Sequence, residues 1–497
     1  MRTSGLLTCF FGSILGFALA GCTVGPDYQS PKMKEAPTRL APTAGDVSSR
    51  TVEDAVDIVW WKSFRDDQLS SLVERLAGQN LDLQTAAERV IQSVAQRQVA
   101  ASAGLPHIEG QSSATYNGAS PNGTLSLLTP APGAPLDYGL FKDGLSSSWE
   151  LDLFGRVRRA VEAADANTLA AVENRHGVAL AAIAELAQSY MQLRGTQKRL
   201  EIAKRNLVLA EKNVDLVNDR FGSGVATTLD LAQARAQQAT IAGTIPPLRT
   251  QEAELINAIG LLLGEVPRAF ESELRRPHAL PHVPGRVPVG LPGTLIRRRP
   301  DIREVEARLH EVTAETGVAV ANFYPDVTLN GALGVESLHL SSLFSPASAA
   351  FSLGPAVSIP IFEGGQLRGT LALRESQQRE AAIVFQKTVL RAWQEVDDAI
   401  TAYDAAQRQR ADVARAVAEN QAALQAARQR YSEGAIDFLN VNSTQAQLLQ
   451  SENDLADSST RIVTDLVNLY RALGGGWEVA DVVYNADLAR RLRVGTP

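Results

Sequence analysis

Residues Arg156–Phe221 read RVRRAVEAADANTLAAVENRHGVALAAIAELAQSYMQLRGTQKRLEIAKRNLVLAEKNVDLVNDRF. The stretch has no proline, and Leu186, Leu193, Leu200, Leu207, Val214 and Phe221 follow one another at intervals of seven. An apolar repeat of seven held this long is the mark of helices that supercoil around one another. At ~1.5 Å of rise per residue the helix runs about 95 Å, too far to be buried by its own chain in a globule. A second line, Ile202, Leu209 and Leu216, lies two heptad positions away and nearly opposite. The rod is therefore expected to have neighbours on two sides, like a stave in the wall of a cylinder.

The rod occurs twice. Shifted by 210 residues, Val396, Tyr403, Val417, Leu424 and Tyr431 match Leu186, Leu193, Leu207, Val214 and Phe221, with Arg410 breaking the seam. The turns that follow also align, RFGSGVATTLDLAQARAQ from Arg220 with RYSEGAIDFLNVNSTQAQ from Arg430. Upstream, Asp82, Arg89 and Pro106 match Asp301, Arg308 and Pro325. The chain is thus an internal duplication. The second seam is not repeated, since Asp412, Glu419 and Ala426 occupy its places, so the two rods are expected to face different surroundings.

Arg2, the apolar run Leu6–Ala20 and the ending Leu19-Ala20-Gly21-Cys22 read as an export signal, too short to be a spanning helix. The ending resembles the lipobox of bacterial lipoproteins, which implies acylation of Cys22, and Thr23 behind it favours the outer membrane. Losing Cys9 with the signal leaves Cys22 alone, so no disulfide is expected. Without Arg2, 47 basic residues face 55 acidic ones, a net charge of −8 that argues against a nucleic-acid partner. No later run of 18 apolar residues occurs, so any crossing of a membrane must be made with strands.

Each half opens with a helix that stops at a proline and leads into alternating residues. After Pro325, Val327, Leu329, Gly331, Leu333 and Val335 alternate with Asp326, Thr328, Asn330 and Gly334; Phe351, Leu353, Val357, Ile359 and Ile361 alternate likewise. Period-two alternation over about ten residues suits tilted barrel strands, apolar outward and small or polar inward. The first half repeats this more weakly at Ile108–Gly118 and through Leu145, Trp149, Leu151 and Leu153, around a Pro/Gly-rich loop, GASPNGTLSLLTPAPGAPLDYG. Four strands cannot close a barrel, and open edges are not tolerated in lipid, so several copies of the chain must contribute. Pro246 and Pro247 are expected to kink the first returning helix.

The expected organisation is a signal peptide at 1–21, an arm at 22–65, and a first repeat at 66–263 with strands near 107–118 and 144–154 and a tip at 222–226. A proline-rich linker follows at 264–298. The second repeat spans 299–473, with strands near 325–335 and 351–362 and a tip at 432–436, and a tail ends the chain at 474–497. The fold class is mainly α with transmembrane β, in duplicated helix-strand-strand-helix-helix units.

CTVGPDY, WWKSF, WELDLFGRVRR, RFGSGVATTLDL, LPGTLIRRRPDIREVEARL, IPIFEGGQLR, RYSEGAIDFLNV and LYRALGGGW, in this order, resemble the signatures of the TolC-like outer-membrane efflux proteins, in particular their NodT-type lipoprotein branch. The resemblance implies a homotrimer with a twelve-stranded β-barrel in the outer-membrane lipid, continued by a long periplasmic α-helical barrel. It also implies a periplasmic adaptor and an inner-membrane pump of the RND type as partners. An outer-membrane duct for type I protein secretion and a periplasmic coiled-coil lipoprotein are the alternatives.

In the resembling architecture the rod tips hold the aperture and the docking surface. Gly224 and Gly434 supply the positive backbone dihedral of a tight turn, flanked by Arg220, Gly222 and Arg430. Thr227 and Asp437 are placed to N-cap the returning helices, with Asp230 and Asn440 completing capping boxes. Leu229 and Leu439 are the candidates for an apolar constriction. Relatives often carry an acidic residue where Ser443 stands, so an acidic ring there is in doubt. The six histidines are scattered, and His310-Glu311 lacks the second histidine of a zinc helix. No catalytic residue, metal or cofactor is expected.

Overall fold

The computed structural model describes residues 23–31, 47–118, 120, 122, 137–291, 293 and 297–484. The expected signal peptide, Cys22 and most of the Pro/Gly-rich loop lie outside them. In chain order come β1 (Arg50–Val52), a 3-10 turn at Trp60–Phe64, α1 (Asp67–Gln79), α2 (Leu81–Ser102), β2 (His107–Gly118) and β3 (Asp137–Glu150). Then follow α3 (Arg156–Gly222), α4 (Thr228–Leu262), the short α5 (Glu271–Leu274), β4 (Arg286–Pro288), α6 (Pro300–Ala321), β5 (Asp326–Ser337), β6 (Ala349–Ser358), α7 (Gln366–Ser432) and α8 (Phe438–Ala472). The duplication is exact in element lengths here: α3 and α7 have 67 residues each, α4 and α8 have 35 each. Two compact units draw on both halves of the chain, one from residues 23–31, 91–170 and 305–385, the other from 47–90, 171–304 and 386–484.

The first unit carries an antiparallel sheet in the order β2-β3-β5-β6. Residues directly opposite one another share a face, so the register sorts the side chains. Ile108, Tyr116, Phe141, Leu145, Trp149, Leu329, Leu333, Val335, Phe351, Leu353 and Val357 share one face with Asp143. Glu109, Gln111, Lys142, Asn330, Glu336 and Ser352 occupy the other, where Lys142 pairs with Glu336 at 2.9 Å. The apolar face is uncovered: Phe351 is 84 % and Leu353 76 % exposed. Gly144 and Gly334 meet at the β3–β5 crossing, where a Cβ on Gly144 would lie 2.6 Å from the Leu333 carbonyl oxygen. Only glycine allows that approach.

β3 runs from Asp137 to Glu150 rather than over 144–154. Lys142, Asp143 and Gly144 interrupt its apolar alternation, which hides its first half in the sequence. Its end is fixed by Asp152, at φ 44°, whose carboxylate accepts the backbone N–H groups of Val157 (2.9 Å) and Arg158 (3.0 Å) and so caps α3. β6 ends at Ser358, leaving Ile361 and Phe362 beyond it, 94 % and 87 % exposed.

In the second unit Trp60, Trp61 and Phe64 are fully buried; Trp60 stacks on Tyr470 at 5.1 Å and donates to the Gly475 carbonyl at 3.0 Å. WWKSF and LYRALGGGW are thus two sides of one core. β1 pairs in parallel with β4. Arg194 is fully buried; its guanidinium donates to Gln68, Gln197 and the carbonyls of Leu274 and Arg276, so its charge is held by acceptors on several segments.

Along α3, Leu186 and Leu193 are fully buried and Leu200 nearly so, Leu207 and Val214 half-buried and Phe221 exposed. The second line sits one position on from the expected one. Ile202 is buried, but Leu209 is half-buried and Leu216 exposed, while Ala203, Ala210 and Val217 are buried. Ala203 packs with Leu200 against Leu248 of α4, while Asn206 and Asn213 bond to Glu452 (3.0 Å) and Gln445 of α8. A search by size misses a seam made of alanines. α4 runs continuously through Pro246 and Pro247, whose missing donors leave the carbonyls of Ala242 and Gly243 without their usual i+4 partners. No described helix is long and apolar enough to cross a membrane.

Candidate functional site

Helix hairpins α3–α4 and α7–α8 end in two turns of the same construction. Gly224 (φ 72°) and Gly434 (φ 75°) turn the chain; the N–H of each returns to the carbonyl three residues back, Phe221 and Tyr431, at 3.0 Å. The next N–H groups, of Val225 and Ala435, return to the carbonyls of Arg220 and Arg430 at 2.9 Å. This arrangement closes a helix on a left-handed residue. Gly222 precedes the first turn, with open space around its Cα.

Beneath the turns lies a small core of Val217, Leu231, Ala234, Leu424, Tyr431, Phe438, Val441 and Leu448. Tyr431 and Phe438 meet edge to face at 5.6 Å. Arg220 crosses from the first hairpin to the second. Its guanidinium carbon lies 4.4 Å from the Tyr431 ring centroid, and its Nη atoms donate to the carbonyls of Tyr431 (3.0 Å) and Ser432 (3.1 Å). Those are last-turn carbonyls of α7, which lack helical donors and carry partial negative charge.

The two caps differ. Thr227 and Asp230 form a full capping box: Thr227 Oγ1 accepts the Asp230 N–H at 3.2 Å and the Asp230 carboxylate accepts the Thr227 N–H at 2.8 Å. Asp437 makes no side-chain cap bond, so the expected second box does not form; Asn440 donates its backbone N–H to the Asp437 carbonyl instead. Asp230 is thereby occupied in capping. Leu229 and Leu439 are 65 % and 57 % exposed at equivalent places. Ser443 turns its hydroxyl back to the Asn440 carbonyl at 3.1 Å. Arg430 is exposed.

Two further clusters escaped the sequence reading. Residues 23–30, at the start of the expected arm, are strapped to the first unit. Arg159, buried on α3, reaches the carbonyl of Val24 (3.2 Å) and the carboxylates of Asp27 (2.6 Å) and Glu162 (2.7 Å). Tyr28 stacks on His310 and donates to Glu306, which with burial pushes its hydroxyl up to about 12. Cys22 is outside the described residues, but Thr23 next to it packs against Gly155, and the Val24 N–H donates to the Phe154 carbonyl at 3.1 Å.

At the other terminus His176 stacks on Trp477 at 4.1 Å, with Nδ1 on Glu173 (3.0 Å) and Nε2 on Asp481 (3.1 Å). Arg175 also holds Asp481 (2.6 Å), and Arg303 holds Glu173 (2.5 Å). Burial disfavours the imidazolium, but the bonds to the two carboxylates outweigh it and raise the His176 pKa. No group of histidine, cysteine and carboxylate residues among those described could hold a metal.

An uncovered apolar sheet face on one unit and long paired helices ending in capped turns on the other define an outer-membrane channel protein of the efflux type. The chain belongs to the outer membrane efflux protein family, which it matches over residues 72–265 and 291–475. It is 32 % identical to the toluene efflux pump outer membrane protein TtgF of Pseudomonas putida, over 95 % of this chain and 97 % of that one. It is 29 % identical to the cation efflux system protein CusC of Escherichia coli, over 93 % of this chain and 98 % of that one. The solved structure of the outer-membrane channel OprN superposes with a TM-score of 0.84 at 33 % identity, covering 92 % of this chain and all of that one. The protein is an outer-membrane efflux channel component.

Proposed function

We propose that three copies of this chain form a passive duct, each giving four strands to a twelve-stranded barrel. In this reading Cys22 is acylated and the apolar sheet face meets lipid. The long helices continue the duct into the periplasm, where an adaptor docks near Arg220, Gly222, Gly224, Arg430 and Gly434 and an RND-type inner-membrane pump supplies the cargo. Export proceeds without a catalytic step in this chain. Relatives of near-equal similarity are named for a cation and for toluene, which supports a duct whose cargo is chosen by the pump.

The aperture is assigned to Leu229 and Leu439, with Asp230, Asp437 and Ser443 around them. The observation that carries this is the exposure of both leucines beside a tip core that buries Leu231, Phe438 and Val441 of the same helices. Copies of each leucine converging on one axis would form an apolar constriction that water leaves readily. Leu439→Ala is expected to raise single-channel conductance in a planar bilayer several-fold; unchanged conductance removes Leu439 from the aperture. Crosslinking in cells, followed by purification in detergent, tests the partners by recovering the adaptor and pump with the chain.

A further inference from the structure

Arg220 clasps the first hairpin to the second, and the same parts occur a second time without being joined. By the 210-residue duplication, Arg430 is the counterpart of Arg220, and Phe221 and Gly222 are the counterparts of Tyr431 and Ser432. The turns they flank share three successive backbone bonds, from residues 223–225 and 433–435, distance for distance. Yet the Arg430 side chain is exposed and forms no hydrogen bond or ion pair among the described residues. The Phe221 ring is 41 % exposed where Tyr431 is 8 %. The Arg430 donor is therefore present and unused, the residues that would accept it are exposed, and both lie in the second unit of the chain.

We infer that Arg430 of one chain closes this clasp on Phe221 and Gly222 of a neighbouring copy. The inference rests on the ring proposed above. In a ring of chains that each carry two like hairpins, the junction from second hairpin to next chain repeats the junction from first to second. The Phe221 carbonyl already accepts the Gly224 N–H, but a carbonyl has two lone pairs, and Tyr431 accepts both its glycine and its arginine. The planar guanidinium fork spans two carbonyls while lying over a ring, which a lysine ammonium cannot do.

The two clasps are not equally supported. Phe438, which backs Tyr431, is replaced by Thr228 at the equivalent place. The clasp between chains therefore lacks aromatic backing and is the one that parts first when the tips separate.

The test uses the full-length protein in detergent, with its mass first measured by light scattering. Arg430→Cys combined with Gly222→Cys, treated with a short bismaleimide, is expected to move the chain into covalent dimers and trimers on a denaturing gel. Gly222 has room for the added side chain. Arg220→Cys with Ser432→Cys is expected to stay at monomer mass, because that link is internal, and single variants set the background. A multimer that yields no linked chains above that background overturns the clasp while leaving the ring; a monomer overturns the ring itself. Arg430→Lys keeps the charge and loses the fork, and is expected to raise single-channel conductance. Parent-like conductance would rule the clasp out of closure.

Discussion

At the scale of single residues, charge buried in this protein fastens distant segments together. His176 is the clearest case. Both its nitrogens face carboxylates, and only the imidazolium can donate from both. Its raised pKa means that its contribution is whole below the ordinary imidazole value of about 6.5 and is lost as pH rises through the folded-state value. Asp481, burdened by burial but held down further by His176 and Arg175, stays ionised well into acid. Residues 477–484 should therefore resist limited proteolysis best in mildly acidic buffer, where the imidazolium is held, and be cut faster once the pH is raised far enough to deprotonate it. His176→Gln should flatten that dependence; a dependence that survives the substitution would place the titration elsewhere. None of this was legible in the sequence, where His176 is one of six scattered histidines and its partners lie 3 and 305 residues away. Arg159 and Arg194 were equally hidden, because an arginine in a helical heptad reads as solvated surface until its acceptors are known.

At the scale of elements, local chemistry was legible and pairing was not. The start and length of the long rods follow from a heptad without proline and a glycine at each end, so α3 runs to Gly222 where the repeat predicted Phe221. The alanine seam at Ala203 and Ala210 was missed because it is recognisable only by what it lets approach. The caps give an element-scale prediction. Thr227→Ala removes an N-cap bond worth about 1 kcal/mol, so amide exchange at the start of α4 should quicken about fivefold by the same energy. Asp437→Ala should leave exchange at the start of α8 nearly unchanged, since Asp437 makes no such bond. Equal effects at the two sites would mean that the turns are capped alike.

At the scale of the whole molecule, the decisive feature is a sheet whose outer strands, β2 and β6, each pair on one side among the described residues. Backbone groups on an unpaired edge cannot be satisfied by hydrocarbon, so insertion and association are one process for such a sheet. Alternation in the sequence predicted the strands after Pro325, yet only the register shows which side chains share a face across all four. That sorting can be tested with neighbouring residues on β6. Leu353 lies on the apolar face and Ser352 on the opposite one, beside Ala332. An arginine facing lipid near mid-membrane costs about 2–4 kcal/mol per chain, and far less facing a lumen. The cost is felt once in every copy around a closed barrel. Leu353→Arg should deplete the heat-modifiable, detergent-extracted form from outer-membrane fractions, while Ser352→Arg should leave its yield near that of the parent and alter conductance instead. If the two substitutions act alike on insertion, the faces are assigned wrongly and the sheet is not the wall of a pore.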